Sequence, residues 1–239
     1  MKQFFMLFLC RLIPIRRLRK FLMYKIRGLG IKIVFVKNGV ERIAKLHELC
    51  MVLKKLKISG TGKNNVVKVE LPYSNGLMLH VIFSTSDNNL IEIGKNVTGA
   101  WGIGCYDFNN HVVIRKNTSS SSVNISCIGH TVLIGHDCMF SNSVHIWGDG
   151  HSVLDFYTGE VLNKPNRPIV VGNHCWIGER VTLTKNAQLP NDCIVGIASV
   201  VTKKFITEHS VIAGAPAKIV KTGVTWDGVS PLKYKRTKN

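Results

Sequence analysis

Acidic residues are scarce in this sequence of 239 residues, where 14 Asp and Glu stand against 32 Lys and Arg for a formal charge of +18. The positive charge is concentrated in residues 1–57, which hold fifteen Lys and Arg and only two acidic residues, Glu41 and Glu48. The rest of the chain lacks the basic surface interleaved with aromatic residues that is typical of single-strand binding proteins. We therefore expect no nucleic-acid partner.

Paired cysteine motifs are missing as well. The seven cysteines form an odd set without a Cys-x-x-Cys pair, which argues against a disulfide framework and against a zinc ribbon. Free cysteines fit a reducing cytosol. The apolar run at residues 4–9 is interrupted by Arg11 and precedes no small-residue cleavage site, so it is too short for a membrane span and a poor signal peptide. The sequence predicts a cytoplasmic protein.

Residues 1–58 mix apolar residues with Lys and Arg, and they predict a basic N-terminal segment with helices around 4–26 and 40–56. Two interpretations of this segment stay open. It lies on an anionic membrane surface or docks on a partner, or it forms a helical cap over the end of the next domain. We place that domain at residues 59–222 and a basic C-terminal tail at 223–239.

Similar phrases recur after residue 58. Residues 64–69, 88–93 and 109–114 each join an Asn-Asn turn signal to a short β-branched strand. Self-similarity of this kind indicates a repeat architecture.

Farther along the chain, ten apolar residues recur with a step of six, in two runs. They are Ile128, Ile134, Phe140 and Ile146, and then Val171, Ile177, Leu183, Leu189, Val195 and Val201. In the second run, the positions four residues later are all small or β-branched: Cys175, Val181, Ala187, Cys193 and Ser199.

A step of six matches neither a simple strand, which alternates every two residues, nor an amphipathic helix, which repeats every 3.6. It indicates a chain that turns every six residues and coils into a triangular prism. Each periodic apolar residue then points inward and stacks on its equivalent about 4.8 Å away. The sequence therefore predicts a mainly β fold, a parallel β-helix, with small residues at its crowded corners.

Three phrases carry a resemblance to a known family. Residues 174–178 (HCWIG), 198–203 (ASVVTK) and 212–218 (IAGAPAK), together with the hexads, resemble the bacterial hexapeptide-repeat acyltransferases. The likeness covers residues 60–222 and is greatest to the O-acetyltransferases of capsule and surface-polysaccharide synthesis. It implies a left-handed β-helix, a homotrimer with active sites between subunits, and acetyl transfer from acetyl-CoA to a sugar hydroxyl. The basic N-terminus lies outside this likeness, and its charge predicts peripheral contact of residues 1–57 with the inner membrane or with a polysaccharide-synthesis complex.

The two hexad runs are out of register, because Ile146 and Val171 are 25 residues apart. Residues 147–168 are therefore an insertion, and loops on a rigid scaffold often carry function. This loop contains His151, which matches the family's catalytic His, and a His suits proton removal near neutral pH. Asp149 and Asp155 are candidates for orienting its ring, and a backbone carbonyl is the alternative. Trp176 resembles the family's active-site Trp, and a surface aromatic residue at the trimer seam is the alternative.

Acetyl-CoA carries phosphates and a long amide-bearing arm, and the sequence has no phosphate-binding loop or dinucleotide fingerprint. The resemblance implies that the arm passes Gly178, Ala198 and Ser199. Lys203, Lys204 and Lys218 are then expected near the phosphates, although a solvated lysine is the alternative for each. No metal is expected.

Four alternative functions share the β-helix fold. A β-helix carbonic anhydrase holds zinc with three His, but His130 and His136 are six residues apart and so fall on adjacent faces of the prism. N-acyl transfer to an amino-sugar nucleotide shares the base, the donor and the fold. Serine acetyltransferase and a non-catalytic scaffold also use this helix. Asp149, His151 and Trp176 together argue against the scaffold.

Overall fold

A computed structural model describes residues 31–45, 56–72, 76–148, 150–164 and 167–235. The regular structure in these ranges consists of β-strands, and they contain no helix. The fold is a left-handed parallel β-helix, as predicted.

Eight strands form one face of the prism, here called face 1. They are β1 (Ile31–Lys37), β2 (Val40–Ile43), β4 (Asn65–Glu70), β6 (Leu90–Ile93), β8 (His111–Ile114), β10 (Thr131–Ile134), β13 (Ile169–Val171) and β16 (Gln188–Leu189). Apart from the antiparallel pair of β1 with β2, their pairings are parallel. The three repeated phrases of the sequence stack directly on one another as β4, β6 and β8, which confirms the repeat.

The other two faces belong to one twelve-stranded sheet. Its strands are β3 (Leu56–Ser59), β5 (Leu77–Ile82), β7 (Thr98–Cys105), β9 (Ser119–Cys127), β11 (Met139–Phe140), β12 (Val144–Trp147), β14 (Trp176–Ile177), β15 (Thr182–Thr184), β17 (Ile194–Val195), β18 (Val200–Val201), β19 (Ser210–Gly214) and β20 (Ala217–Thr222). The long strand β9 pairs with β11 through its first residues and with β12 through its last. Above β9 the sheet divides into face 2, formed by β11, β14 and β17, and face 3, formed by β12, β15 and β18.

The hexad residues form the core, as predicted. Ile177 stacks on Val195 and Leu183 on Val201, a step of eighteen residues that corresponds to three hexads per coil. Nine of the ten periodic residues are buried, and so are the five small or β-branched residues at the corners. Ile128 is the exception and is partly exposed. The end of β9 buries Cys127 in its place, because that strand alternates inward and outward every two residues.

The corners of the coil depend on left-handed backbone conformations. Corner A joins face 1 to face 2, and a residue with positive φ occupies it in each coil: Asn96, Asn117, Asp137, His174, Asp192 and His209. Corner B joins face 2 to face 3 and has Ser143, Arg180 and Ala198 in the same conformation. Asn and Asp tolerate this region better than most residues, which explains the abundance of Asn at the turns. Corner C joins face 3 back to face 1.

The N-terminal part differs from the prediction. Residues 40–43, expected to begin a helix, form the strand β2, and β1 already belongs to face 1. Asn38 and Gly39 connect the two strands, both with positive φ. This is the turn that Asn-Gly favours between antiparallel strands. The coil therefore already includes Ile31–Lys37, ahead of residue 59, and residues 1–30 and 46–55 lie outside the described ranges. Within those ranges, no helix has the length and hydropathy needed to cross a membrane.

Candidate active site

The insertion leaves the coil at corner C. It follows β12, which ends at Trp147, and the chain returns as β13 at Ile169. Ile146 stacks on Leu183, which is 37 positions farther along the chain, against a step of eighteen for the coils above. The additional residues project from the coil as a loop, as the register break predicted.

His151 lies on this loop with its side chain exposed. Its backbone carbonyl accepts a hydrogen bond of 2.8 Å from Nδ2 of Asn163, and Oδ1 of the same Asn163 accepts the N–H of Val153 at 2.7 Å. The loop closes beyond this point, because Leu154 and Val161 form an antiparallel bridge. The Asn163 amide thus fixes the backbone at His151 and at Val153, two residues farther along the chain. Asn163 was not among the predicted site residues, because a polar residue in a loop belongs to no repeating pattern of the sequence.

Asp155, a candidate for orienting His151, participates in the turn of the loop. Its Oδ1 accepts the N–H groups of Tyr157 and Thr158 at 2.9 and 2.8 Å. The bond from Thr158 is the main reason that the pKa of this carboxyl lies below its ordinary value. The other candidate, Asp149, lies outside the described residues. The orientation of the His151 ring by either carboxylate stays a prediction.

The base of the loop packs on the coil beneath it. A Cβ added at Gly148 would lie 2.4 Å from Cδ2 of His130, whose side chain is buried. Gly150 lies over Ile128, with 3.5 Å from an added Cβ to Cδ1 of that residue. Only a residue without a side chain allows the backbone to pass so close to the His130 ring, so Gly148 sets where the loop begins.

Trp176 lies on face 2 and points outward from β14, above Met139 and below Ile194. It is 38% exposed, and its Nε1 donates a long hydrogen bond of 3.4 Å to Oγ of Ser141. An exposed indole on a strand is available to a ligand, as the resemblance implies.

A second tryptophan, which was not among the predicted site residues, lies beside Trp176. Trp226 belongs to the C-terminal tail, and its ring centroid is 6.3 Å from that of Trp176. It also stacks on the ring of His174 at 4.7 Å. The tail has no hexad pattern, so the sequence gives no signal for a contact between residues 52 positions apart.

One chain does not bring His151 and Trp176 to the same part of the coil. The His151 loop starts from corner C, which is the corner opposite face 2 in the triangular cross-section. Face 3 lies between them on one side. The strand Val144–Trp147 alone makes that face about 10 Å wide, at 3.3 Å per residue.

The three residues expected along the acetyl-CoA arm lie together at corner B. An added Cβ at Gly178 would lie 2.7 Å from the carbonyl oxygen of Val195, so glycine is required there by the next coil. Ala198 is exposed, with φ of 55°. Ser199 is fully buried, and its hydroxyl donates to the Gly196 carbonyl at 2.7 Å and accepts the Gly214 N–H at 3.1 Å. These residues shape the corner.

The three lysines expected near the phosphates divide between two places. Lys203 and Lys204 are exposed where the chain turns from face 3 to face 1 at corner C, and Lys204 already forms a parallel bridge with Gln188 of face 1. Nζ of Lys203 lies 5.5 Å from the ring centroid of Phe205. Lys218 is exposed on β20, opposite Ala213 of β19. Only Lys218 therefore lies on the strand pair that adjoins corner B.

The two histidines considered for zinc lie at opposite ends of β10. His130 is buried before the strand, whereas His136 follows it with Nδ1 2.5 Å from Oδ2 of Asp137. Among the described residues, no group of three or more His, Cys, Asp or Glu side chains has the geometry of a metal site.

Several known proteins are similar to this chain, although no protein-family model matches it. A putative lipopolysaccharide biosynthesis O-acetyl transferase, WbbJ of Escherichia coli (strain K12), is 27% identical over 194 residues, which cover 76% of this chain and 93% of that protein. The polysialic acid O-acetyltransferase of Escherichia coli O1:K1 / APEC is 29% identical over 116 residues, or 48% of this chain and 37% of that one.

Solved structures agree with this likeness. The crystal structure of the polySia specific acetyltransferase NeuO superposes with a TM-score of 0.67 at 25% identity and covers 86% of this chain and 89% of its own. The stacked coils and these relatives confirm the resemblance that the hexads carried. The chain is similar in sequence and fold to the hexapeptide-repeat acyltransferases, and it is an enzyme of the O-acetyltransferase type.

Proposed function

We propose that this protein transfers the acetyl group of acetyl-CoA to a hydroxyl of a surface-polysaccharide sugar, with His151 as general base. The observation that carries the proposal is the loop at corner C. It projects from the stacked coil, and Asn163 fixes its backbone at an exposed histidine and at Val153. The acceptor class comes from the relatives, whose names include lipopolysaccharide biosynthesis and polysialic acid.

The chemistry needs one proton acceptor and one position for the thioester. An imidazole nitrogen of His151 removes the proton of the sugar hydroxyl as its oxygen attacks the carbonyl carbon of acetyl-CoA. The tetrahedral intermediate then collapses, the carbon–sulfur bond breaks, and the imidazolium returns the proton to the departing CoA thiolate. The products are an acetyl ester and CoA with a free thiol. Trp176 is assigned to the side of the thioester, through its indole N–H or its ring face.

We further propose that the active site forms between two copies of the chain in a homotrimer. Corner C and face 2 lie on opposite sides of the prism, so His151 of one copy meets Trp176 of a neighbouring copy. The loop supports this arrangement, because Phe156 and Tyr157 at its tip are each 91% exposed in the single chain. Apolar rings that project from a protein are typical of residues that pack on a partner.

The arm of acetyl-CoA is assigned to corner B beside Trp176, over the exposed Ala198. Its phosphates are assigned to Lys218 and to Lys203 and Lys204 of the neighbouring copy. Lysines act there as point charges on flexible stems, which suits phosphates held at a surface.

The test is acetyl transfer measured as release of free CoA thiol, with a panel of bacterial capsular oligosaccharides as acceptors and mass spectrometry of the product. His151→Ala is expected to remain a folded trimer that binds CoA, and to lose transfer by about 10²–10⁴-fold, the range of general-base catalysis. A His151→Ala protein that turns over normally with the correct acceptor would refute the base assignment.

For the basic N-terminus we propose peripheral association with an anionic membrane. Since Ile31–Lys37 belongs to the coil, the appropriate deletion is residues 1–30, which leaves β1 in place. That deletion should release the enzyme from anionic vesicles and preserve its activity on a soluble acceptor. Vesicle binding that is unchanged by the deletion would contradict the proposal.

A further inference from the structure

The C-terminal tail folds back along corner A. The N–H of Val224 donates to the carbonyl of His209 at 3.0 Å, and the chain then places the Trp226 indole on the His174 ring. The two rings are nearly parallel, with 13° between their planes and 4.7 Å between their centroids. Nε1 of Trp226 donates to the His174 carbonyl at 2.8 Å. The indole is therefore held by both a stacking contact and a hydrogen bond.

His174 is itself fixed to the coil. It has a positive φ of 52° at corner A, and its Nδ1 lies 2.7 Å from Oδ1 of Asp192 in the next coil. Its backbone N–H donates to the His136 carbonyl of the coil before at 2.9 Å. His174 is thus hydrogen-bonded to the coils on either side, and its ring holds the Trp226 indole in one place.

Trp176 has less support of its own. Its hydrogen bond to Oγ of Ser141 is long at 3.4 Å, and 38% of the residue is exposed. An exposed indole on a strand has several staggered side-chain rotamers open to it. The Trp226 ring lies 6.3 Å away and is tilted by 45°, so it occupies the space on the corner A side into which the Trp176 ring would otherwise turn.

We infer that Trp226 is a positioning residue, which holds the Trp176 indole in the orientation that acetyl transfer requires. The inference rests on the proposed function, because it gives Trp176 its role in the reaction. Trp226 acts through Trp176, from the side of the ring that faces corner A, while corner B on the other side remains open to the acetyl-CoA arm.

Kinetics of three variants test this inference. Trp226→Ala is expected to lower kcat by about 10–100-fold, the range for a misplaced group in an active site, with a change in KM for acetyl-CoA below about twofold. Trp226→Phe keeps a ring on His174 and should recover most of the lost rate. Tyr234→Ala removes another exposed aromatic residue of the same tail and is expected to match the unmodified enzyme.

A double-mutant cycle separates positioning from a general effect on stability. If Trp226 acts through Trp176, Trp226→Ala should cost nothing further in a Trp176→Phe enzyme. The inference would be overturned if the double variant lost kcat by the product of the two single losses. It would also be overturned if Trp226→Ala left kcat unchanged.

Circular dichroism gives a readout that does not depend on turnover. Two indoles this close and tilted produce an exciton couplet, and either Trp176→Phe or Trp226→Phe alone should abolish it. A couplet that survives both changes would show that the rings do not meet. If the couplet is present and no acceptor is acetylated, the proposed function fails and the Trp176–Trp226 contact stands. If Trp176→Phe has no effect on kcat, the role of Trp176 fails and the positioning role fails with it.

Discussion

Asn163 provides a direct test of how the His151 loop is held. Its side chain makes two hydrogen bonds, one to the carbonyl of His151 and one from the N–H of Val153. Asn163→Ala removes both of them and leaves the backbone carbonyl of residue 163, which accepts from Nζ of Lys185, in place. The variant therefore loosens the segment that carries the proposed base without changing the base.

The size of the effect follows from the two bonds. Each contributes about 0.5–1.5 kcal/mol net, and because the site is exposed we take about 1–2 kcal/mol for the pair. At 1.36 kcal/mol for a tenfold change in rate, kcat/KM should fall by roughly 5–30-fold. The temperature of unfolding should not change, since the loop lies outside the stacked coils that form the core.

The assay is release of free CoA thiol with a saturating acceptor, beside a thermal unfolding measurement. Asn163→Asp keeps the oxygen that accepts the Val153 N–H and loses the donor to His151, so its loss of rate should be intermediate. Lys164→Ala, at the neighbouring exposed position, is the matched control and should keep the full rate. Activity of Asn163→Ala within about twofold of the unmodified enzyme, below the smallest loss that two hydrogen bonds predict, would refute the reasoning.

Three further predictions concern the loop and the core. Asp155→Asn keeps an oxygen that accepts the Tyr157 and Thr158 N–H groups, so its kcat should stay within about threefold, the cost of less than one hydrogen bond. A loss near 10⁴-fold, the scale for a carboxylate that orients a catalytic His, would show instead that Asp155 holds His151. Gly148→Ala forces a Cβ against the buried His130 ring. This overpacking should lower the free energy of unfolding by about 1–3 kcal/mol and remove much of the acetyl-transfer activity. Gly228→Ala, with no atom within 4 Å of an added Cβ, should change neither stability nor activity. Burial raises the pKa of the Cys105 thiol to about 12, and burial also raises the pKa of the Cys193 thiol. In a Cys10→Ser/Cys50→Ser protein, the five described thiols, all buried, should therefore react with a thiol reagent only after unfolding.

The core of the coil was predictable because its pattern repeats. Each inward residue of the upper coils stacks on an equivalent one eighteen positions away, as Ile177 does on Val195. An apolar residue is therefore required at the same position of every hexad, and a pattern repeated so often is poorly explained by chance. The insertion was visible for the same reason, because the step of six breaks between the two hexad runs, from Ile146 to Val171. Ile128 was assigned wrongly because the long strand β9 follows the two-residue period of an ordinary strand.

Features that depend on single or distant contacts were not predictable. The strand β2 was mistaken for a helix because Val40–Ile43 mixes apolar and charged residues, although Asn38-Gly39 was a hairpin signal in the sequence. The contact of Trp226 with His174 joins two segments through one stacked pair, and no spacing in the sequence indicates it. An active site between subunits was implied by the family resemblance and not by the hexads, and the pairing of His151 with Trp176 across two copies is a proposal.

Mixing of two inactive variants tests the shared active site most directly. His151→Ala and Trp176→Ala chains are each expected to be inactive as homotrimers, and they are co-expressed with different affinity tags so that mixed trimers can be isolated. If His151 of one copy works with Trp176 of its neighbour, mixed trimers contain sites in which both residues are intact, and acetyl transfer to the oligosaccharide should reappear. Mixed trimers that remain as inactive as either parent would contradict the account.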